Sequence, residues 1–454
     1  MITSPVFAGK RYAVLGLARS GLAAVETLLA SGAQVTAWDA REEPRLTLAA
    51  NLGESVELLD PATGDLVGFD AVVVSPGIPL ARHPIAEAAA RAEVPVIGDI
   101  ELFAQARPTL PPHRVVGITG TNGKSTTTAL VAHLLESAGV PVRIGGNIGV
   151  PILGEDELTP NEHGSGVYVL ELSSYQLDLT ESLDCDVAAL LNITPDHLDR
   201  HGGFEGYVRA KARIFSMQSP AHQAIFGRTD VTTLAIAAEA ELAHAPGAVR
   251  RVDGSGLAGL QSEWPSLQGP HNLQNAAVAV AIVEALGLEP DQWLAAMPLF
   301  RGLPHRLERV AEAGGVIFIN DSKATNPAST APALAAFPPN PDPRIHWILG
   351  GLPKGEGLDE CAPWFGHIAA AYVIGEAGPT FAELLAPHMK VHRSELMAEA
   401  IRQAIATARP GDVVMLSPAC ASFDQFRDYE ARGDAFRLIV ESYLAQGTVP
   451  GGSD

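Results

Sequence analysis

Short apolar runs recur along the chain, each closed by glycine, proline or an acidic residue, and longer amphipathic stretches lie between them. In the first segment the runs are "YAVLG", "QVTAWD", "DAVVVSPG" and "PVIGD", with "GLAAVETLLASG" reading as a helix. This alternation predicts a small parallel α/β sheet. The proline cluster "RPTLPPHR" (107–114) reads as a linker. A second α/β unit follows, with "RVVGITG", "VYVLELS" and "VAALLNIT" as buried strands and "STTTALVAHLLESAG" as a helix stopped by Gly139. "RGLPHR" (301–306) closes it. The last third alternates again through "VIFIND", "RIHWILGG", "AAYVIGEAG" and "DVVMLSP", with "SELMAEAIRQAIATA" as a helix. Three α/β domains are expected, at 1–110, 111–303 and 304–454, with no internal repeat and a disordered tail "GTVPGGSD".

Charge narrows the partners. Thirty-one basic against 52 acidic residues give a net charge of −21 over 454 residues, and no basic run stands out. A nucleic-acid backbone or an anionic membrane is therefore an unsuitable partner, and an anionic substrate must be held by local positive charge. No apolar run is long enough to span a bilayer, and the N-terminus lacks the pattern of an export signal, so no membrane insertion is expected. Three cysteines (Cys185, Cys361, Cys420) without a C-x-x-C fit neither a disulfide framework nor a zinc site, and point to a reducing cytoplasm. Only six residues are lysine (10, 124, 211, 323, 354 and 390), whereas 25 are arginine. In such a chain a retained lysine is a candidate for a role as an ammonium or a primary amine.

The chemistry concentrates where strands end. "GITGTNGKSTTT" follows an apolar run and opens a helix, as a phosphate loop does, although Ile118 stands where the usual G-x-x-x-x-G-K-[ST] spelling has glycine. The elements survive that change: Gly120 and Gly123 let amides turn to a phosphate, Lys124 adds a point charge, Ser125 can ligate Mg²⁺, and the helix contributes its positive end. Glu171 ends the run "VYVLE", where a carboxylate is costly unless paired, metal-bound or at a solvated edge. "NITPDHLDRHGG" brings Asp196, His197 and Asp199 into one polar turn before a helix carrying Lys211; a hard-metal, phosphate-handling site suits it better than zinc. "GLARSG" with Asp39 18 residues beyond Gly21 approaches a dinucleotide fingerprint, but Ala18 replaces the middle glycine, and a strand-turn-helix packing pair reads equally well. "SPGI" (75–78) is a candidate part of the same crevice. In the last third, "INDSKATNP", "GGLPKGEG" and "LSPACASFDQF" each follow a strand and together favour an anion site.

The ordered motifs "GTNGKSTTT", "GGNIG", "ELSSYQLD", "NITPDHLDRHG", "GPHNLQNA", "GLPHRLE", "NDSKATNP" and "LSPACASFDQF" resemble the Mur ligases, which share the shortened phosphate loop. The resemblance spans the chain from "GLARSG" to "RGDAF" and is strongest to the branch that adds D-glutamate. It implies a Rossmann-like N-terminal domain for a UDP-sugar, a central P-loop ATPase-type domain and a C-terminal α/β domain for the amino acid. The implied activity is ATP-dependent ligation of D-glutamate to UDP-N-acetylmuramoyl-L-alanine through an acyl phosphate, by a cytoplasmic monomer. By this resemblance Ser20, Arg41, Ser75, Gly77 and Asn147 meet the UDP-sugar. Gly120, Thr121, Asn122, Gly123, Lys124, Ser125, Thr126, Asn275, Arg306 and Asp321 meet ATP. Lys323, Thr325, Lys354, Ser422, Phe423 and Tyr429 meet D-glutamate. Ser125, Glu171, His197 and Lys211 hold two Mg²⁺ ions, Lys211 as a carbamate, with Lys124, His197 and Lys211 catalytic. Arg19 and the Leu352-Pro353 pair depart from the family pattern. A sister ligase or folylpolyglutamate synthase fits the paired C-terminal motifs less well. A nicotinamide dehydrogenase leaves the phosphate loop and the Lys211 stretch without work, and a third reading is a regulatory ATP-binding protein that keeps the loop without ligating anything.

Overall fold

A computed structural model describes residues 1–446 apart from 163, 354 and 356. The expected disordered tail at 447–454 and the expected ligand Lys354 lie outside the described residues.

The first sheet contains β1 (Arg11–Leu15), β2 (Gln34–Trp38), β3 (Glu57–Leu58), β4 (Ala71–Val74) and β5 (Val96–Ile97), all parallel, in the order β3-β2-β1-β4-β5. The second contains β6 (His113–Thr119), β7 (Val142–Gly146), β8 (Gly166–Glu171), β9 (Val187–Leu190), β10 (Gln223–Gly227) and β11 (Val249–Val252), again parallel, in the order β11-β10-β9-β6-β8-β7. The third contains β12 (Glu308–Ala313), β13 (Val316–Asn320), β14 (Ile345–Gly350), β15 (Ile368–Ile374), β16 (Lys390–Glu395) and β17 (Val413–Leu416), in the order β12-β13-β17-β14-β15-β16, with β12 alone antiparallel.

The central strands are the ones that read as continuous apolar runs. β4, β8, β9, β14 and β17 are buried at every position, as strands covered by helices on both faces must be. The edge strands β11 (VRRV), β12 (ERVAEA) and β16 (KVHRSE) carry charge and are only partly covered, so their pattern is weak in sequence. Contacts gather the chain into two compact units. The first comprises 1–253 with 274–296 and holds the first two sheets; the second comprises 254–273 with 297–454 and holds the third. One apolar core runs through both sheets of the first unit, and two cores flank the third sheet, one centred on Trp347 and Leu349, the other on Phe318 and Tyr372.

In each sheet the strand order reverses beside a central strand. These reversals fall between β1 and β4, around β6, and around β17. The loops leaving the carboxyl ends of such neighbouring strands diverge to opposite faces and leave a crevice. They are the loops that carry the motif residues.

Candidate active site

The phosphate loop leaves β6 at Gly120 and enters the helix Lys124–Ser137. Gly123 sits at φ +86°, and a Cβ there would come within 2.2 Å of the Asn275 Oδ1, so both conformation and space require glycine. The loop is tied to the segment after β9: the Thr121 amide donates to the Asn192 carbonyl (2.9 Å), the Asn122 amide to Asn192 Oδ1 (2.9 Å), and Asn192 Nδ2 back to the Asn122 carbonyl (3.1 Å). Thr121 Oγ1 meets the Tyr207 hydroxyl at 3.0 Å. No side chain caps the helix, which leaves its first amides facing the loop. Lys124 Nζ donates to the carbonyls of Gly120 (2.9 Å) and Thr121 (2.8 Å). Ser125 is buried beside it in the first turn.

Behind the loop lie two buried ionisable groups. Lys211, on the helix Phe204–Ser216, is 1% exposed, and its Nζ donates to the Gly120 carbonyl at 2.8 Å and lies 3.3 Å from Thr119 Oγ1. Burial, and then the ammonium of Lys124, push its pKa well below the ordinary lysine value. Glu171 ends β8 at 2% exposure. Its Oε1 accepts from Asn147 Nδ2 at 3.1 Å, but its Oε2 is buried without a partner. Glu171 pairs in register with Ile118, two residues before the phosphate loop, and an orphaned carboxylate oxygen there suits a hard cation. Asn147, expected at the sugar, is therefore also the residue that orients Glu171.

His197 is half-exposed at φ +51°, 3.4 Å from Asp196 Oδ2. Among the described residues no group of three or more His, Cys, Asp or Glu side chains could hold a metal. Any Mg²⁺ here therefore depends on hydroxyl, phosphate and water oxygens as well as Glu171, the usual habit of that ion. The helix Leu198–His201 follows, and Arg200 grips the turn after β4, donating to the carbonyls of Pro76 (3.2 Å), Gly77 (3.0 Å) and Ile78 (2.9 Å) while lying 4.5 Å over the Tyr175 ring. Sequence reading passed over Arg200; its position inside "PDHLDRHG", beside His197, was the available signal.

At the first sheet, Ser75 Oγ donates to the Gly16 carbonyl at 2.9 Å, joining "SPGI" to "GLARSG". A Cβ on Gly21 would stand 1.8 Å from the Gly16 carbonyl oxygen, so this glycine serves close packing. Asp39 receives the amides of Leu17 (2.8 Å) and Arg41 (2.9 Å) and the Nε of Arg41 (3.2 Å). Both its oxygens are engaged in shaping the turn, which removes the main support for a ribose-binding acid. Ser20 is half-buried at the start of the helix Arg19–Ala30, Arg41 remains largely exposed, and Gly77 is exposed.

In the second unit, Asp321 follows β13 and is buried, accepting from Ser417 Oγ (2.7 Å) and the Leu307 amide (3.1 Å). Burial pushes its carboxyl up to about 7 against those hydrogen bonds. Arg306 lies in the turn 303–306 beside it, and Lys323 Nζ stands 3.7 Å from the centre of the Tyr429 ring. Thr325 precedes the helix Pro327–Ala335, Ser422 is buried, and Phe423 is exposed. The element that binds these loops together is Arg432, 1% exposed, which donates to Ser322 Oγ (3.0 Å) and to the carbonyls of Ser322 (2.8 Å), Cys420 (3.0 Å) and Ala421 (3.1 Å). Nothing in the sequence separated it from the chain's other arginines. Among the described residues, six non-glycine residues adopt positive φ, and His197, His305, Leu307 and Ala419 are four of them. Such conformations cost about 1–3 kcal/mol each and cluster where a site is held in a fixed shape.

Comparison with known proteins agrees with this geometry. A Mur ligase MurD-like N-terminal domain matches residues 10–98, a Mur ligase middle domain 118–283, and a Mur ligase glutamate ligase domain 305–420. The UDP-N-acetylmuramoylalanine–D-glutamate ligase of Novosphingobium aromaticivorans is 65% identical over 99% of this chain and 98% of its own length; that of Sphingopyxis alaskensis is 58% identical over 97% and 99%. Among solved structures, the UDP-N-acetylmuramate–alanine ligase of Thermotoga maritima superposes with a TM-score of 0.55 at 18% identity, covering 96% of this chain and 99% of that one, and so supports the fold. Fold, phosphate loop and matched domains define an ATP-dependent, amide-forming ligase. The chain belongs to the Mur ligase family, in the group whose members are named UDP-N-acetylmuramoylalanine–D-glutamate ligase.

Proposed function

We propose that this chain joins D-glutamate to UDP-N-acetylmuramoyl-L-alanine with hydrolysis of ATP to ADP and phosphate, in cytoplasmic peptidoglycan precursor synthesis, acting as a monomer without membrane insertion. The observation that carries the reading is a phosphate loop backed by a buried amine and an orphaned carboxylate oxygen, in a chain matched end to end by relatives named for this reaction. Residues 1–110 take the UDP-sugar through Ser20, Arg41, Ser75, Gly77 and Asn147. Residues 111–303 take ATP through Gly120 to Thr126 and Asn275. Residues 304–454 take D-glutamate through Lys323, Thr325, Lys354, Ser422, Phe423 and Tyr429.

A carboxylate is a poor electrophile. Its oxygen attacks the γ-phosphorus of ATP, the bond to ADP breaks, and an acyl phosphate results. The neutral amine of D-glutamate then attacks the acyl carbon, inorganic phosphate departs, and the amine proton is lost to give the amide. Lys124 and the amides of the loop stabilise charge that develops on the equatorial oxygens. Ser125, Glu171 and His197 would hold Mg²⁺, which would supply further neutralisation of phosphate charge. The depressed pKa of Lys211 favours the neutral amine that CO₂ requires to form a carbamate, and such a carbamate would add anionic oxygens for a second ion. His197, at a positive φ, stands three residues before Arg200, which grips the 76–78 turn.

The test is phosphate release from ATP against a panel of UDP-muramoyl substrates and amino acids. Release dependent on D-glutamate together with UDP-N-acetylmuramoyl-L-alanine is expected. Faster turnover of L-alanine, L-glutamate or meso-diaminopimelate with the matching UDP-sugar would replace this assignment by a sister ligase. ATP turnover indifferent to any amino acid would replace it by a regulatory ATPase.

A further inference from the structure

A cavity of about 390 Å³ opens at the amino-terminal ends of β14, β15, β16 and β17. It lies at the opposite edge of the third sheet from the loops that carry Asp321 and Ser417, roughly 20 Å away by the rise of six-residue strands. Its floor is a closed hydrogen-bond network: the Tyr372 hydroxyl meets His346 Nδ1 (2.9 Å) and Thr407 Oγ1 (2.7 Å), and His346 Nε2 meets Asp412 Oδ2 (3.1 Å). Around that floor the lining includes Arg344, Lys390, Arg409 and His392. None of the three cations forms an ion pair with a described residue. Of the two carboxylates on the lining, Asp412 is committed to His346 and to the Arg409 amide (2.8 Å), which leaves Asp342 to oppose three positive charges. Arg344 Nη1 donates to the Gly411 carbonyl (3.2 Å), while Arg344 Nε and His392 Nε2 are buried without partners.

This is unusual in a chain of net charge −21 with six lysines, whose surface elsewhere pairs arginine with carboxylate repeatedly. We infer that the cavity binds a small phosphorylated metabolite, held by the guanidinium groups of Arg344 and Arg409 and the ammonium of Lys390. Guanidinium forks match the paired oxygens of a phosphate, and several cations on one hollow suit a dianion. The volume exceeds that of a bare phosphate ion and falls in the range of about 300–1,000 Å³ common for small-molecule sites. None of these residues belongs to the loops assigned to ATP, sugar or amino acid.

The experiment is isothermal titration of the full chain, saturated with Mg²⁺ and a non-hydrolysable ATP analogue, with pyrophosphate and separately with glucose 6-phosphate. Binding of at least one is expected, weakened at least tenfold in a protein carrying both Lys390→Gln and Arg409→Gln and unchanged in Lys124→Ala. Both replaced side chains are exposed, and unchanged ligation turnover reports that the double variant is folded. Hydrogen exchange should slow at 390–393 and 407–411 on addition of the probe. No binding of either probe at millimolar concentration overturns the inference. So does affinity unaltered by the double substitution, or slowing confined to 119–126, which would place the anion on the phosphate loop.

Discussion

Arg432 is the residue whose removal should most clearly separate loop architecture from chemistry. Its guanidinium makes four hydrogen bonds between 2.8 and 3.1 Å to the segments after β13 and β17. Hydrogen bonds to a charged group contribute about 1.5–3 kcal/mol each, so four amount to roughly 6 kcal/mol at the low end. Burial lowers its pKa from 12.5 to about 10, which at about 1.4 kcal/mol per unit offsets roughly 3 kcal/mol of that. Arg432→Met should therefore destabilise the second unit by about 3 kcal/mol, the apolar chain preserving much of the packing. Urea unfolding followed by tryptophan fluorescence reads this, because the buried Trp347 indole donates to the Ser417 carbonyl at 2.7 Å and reports on the same loop. Steady-state kinetics of the folded variant should show the KM for D-glutamate raised about tenfold or more, with the KM for the UDP-substrate within about twofold, since positioning rather than chemistry is lost. A stability change below about 0.5 kcal/mol with an unaltered D-glutamate KM would refute the idea that Arg432 holds the loops in register.

Lys124→Ala should leave the fold intact and reduce turnover by on the order of a hundredfold or more, read as phosphate release; near-normal rates would remove the loop from phosphoryl transfer. Gly123→Ala places a methyl against Asn275 at a left-handed φ, so ATP affinity should fall at least about tenfold, measured with a fluorescent nucleotide, and normal affinity would contradict the close approach. For Lys211 the folded-state pKa is depressed, so between that value and the ordinary 10.5 the unfolded chain binds a proton that the folded chain lacks, and stability rises with pH by up to about 1.4 kcal/mol per unit. Lys211→Met abolishes this term, so the stability of wild type relative to the variant should grow with pH across that window in parallel urea titrations; a constant difference would mean the amine is charged in the fold.

How much of this was legible follows from what each signal depends on. The central strands and the phosphate loop depend on local facts: continuous apolar runs for strands covered on both faces, and glycines beside a lysine and a serine before a helical stretch. β10 is buried but was not singled out, and the edge strands β11, β12 and β16 escaped because they are only partly covered and their charge hides the alternation. Glu171 and Lys211 were readable as unusual, a carboxylate at the end of an apolar run and a rare lysine. That burial lowers the pKa of the lysine and that Glu171 keeps one oxygen without a partner depend on what packs around them. Asn147 orienting Glu171, Arg200 holding the 76–78 turn and Arg432 joining two loops are contacts between residues 24, 122 to 124, and 11 to 110 positions apart. Sequence determines which groups are available and which stretches must be buried, because those are properties of residues and their periods. Only the tertiary structure decides which polar atoms are satisfied and which are left to meet a ligand, because that depends on the neighbours that folding brings from elsewhere in the chain.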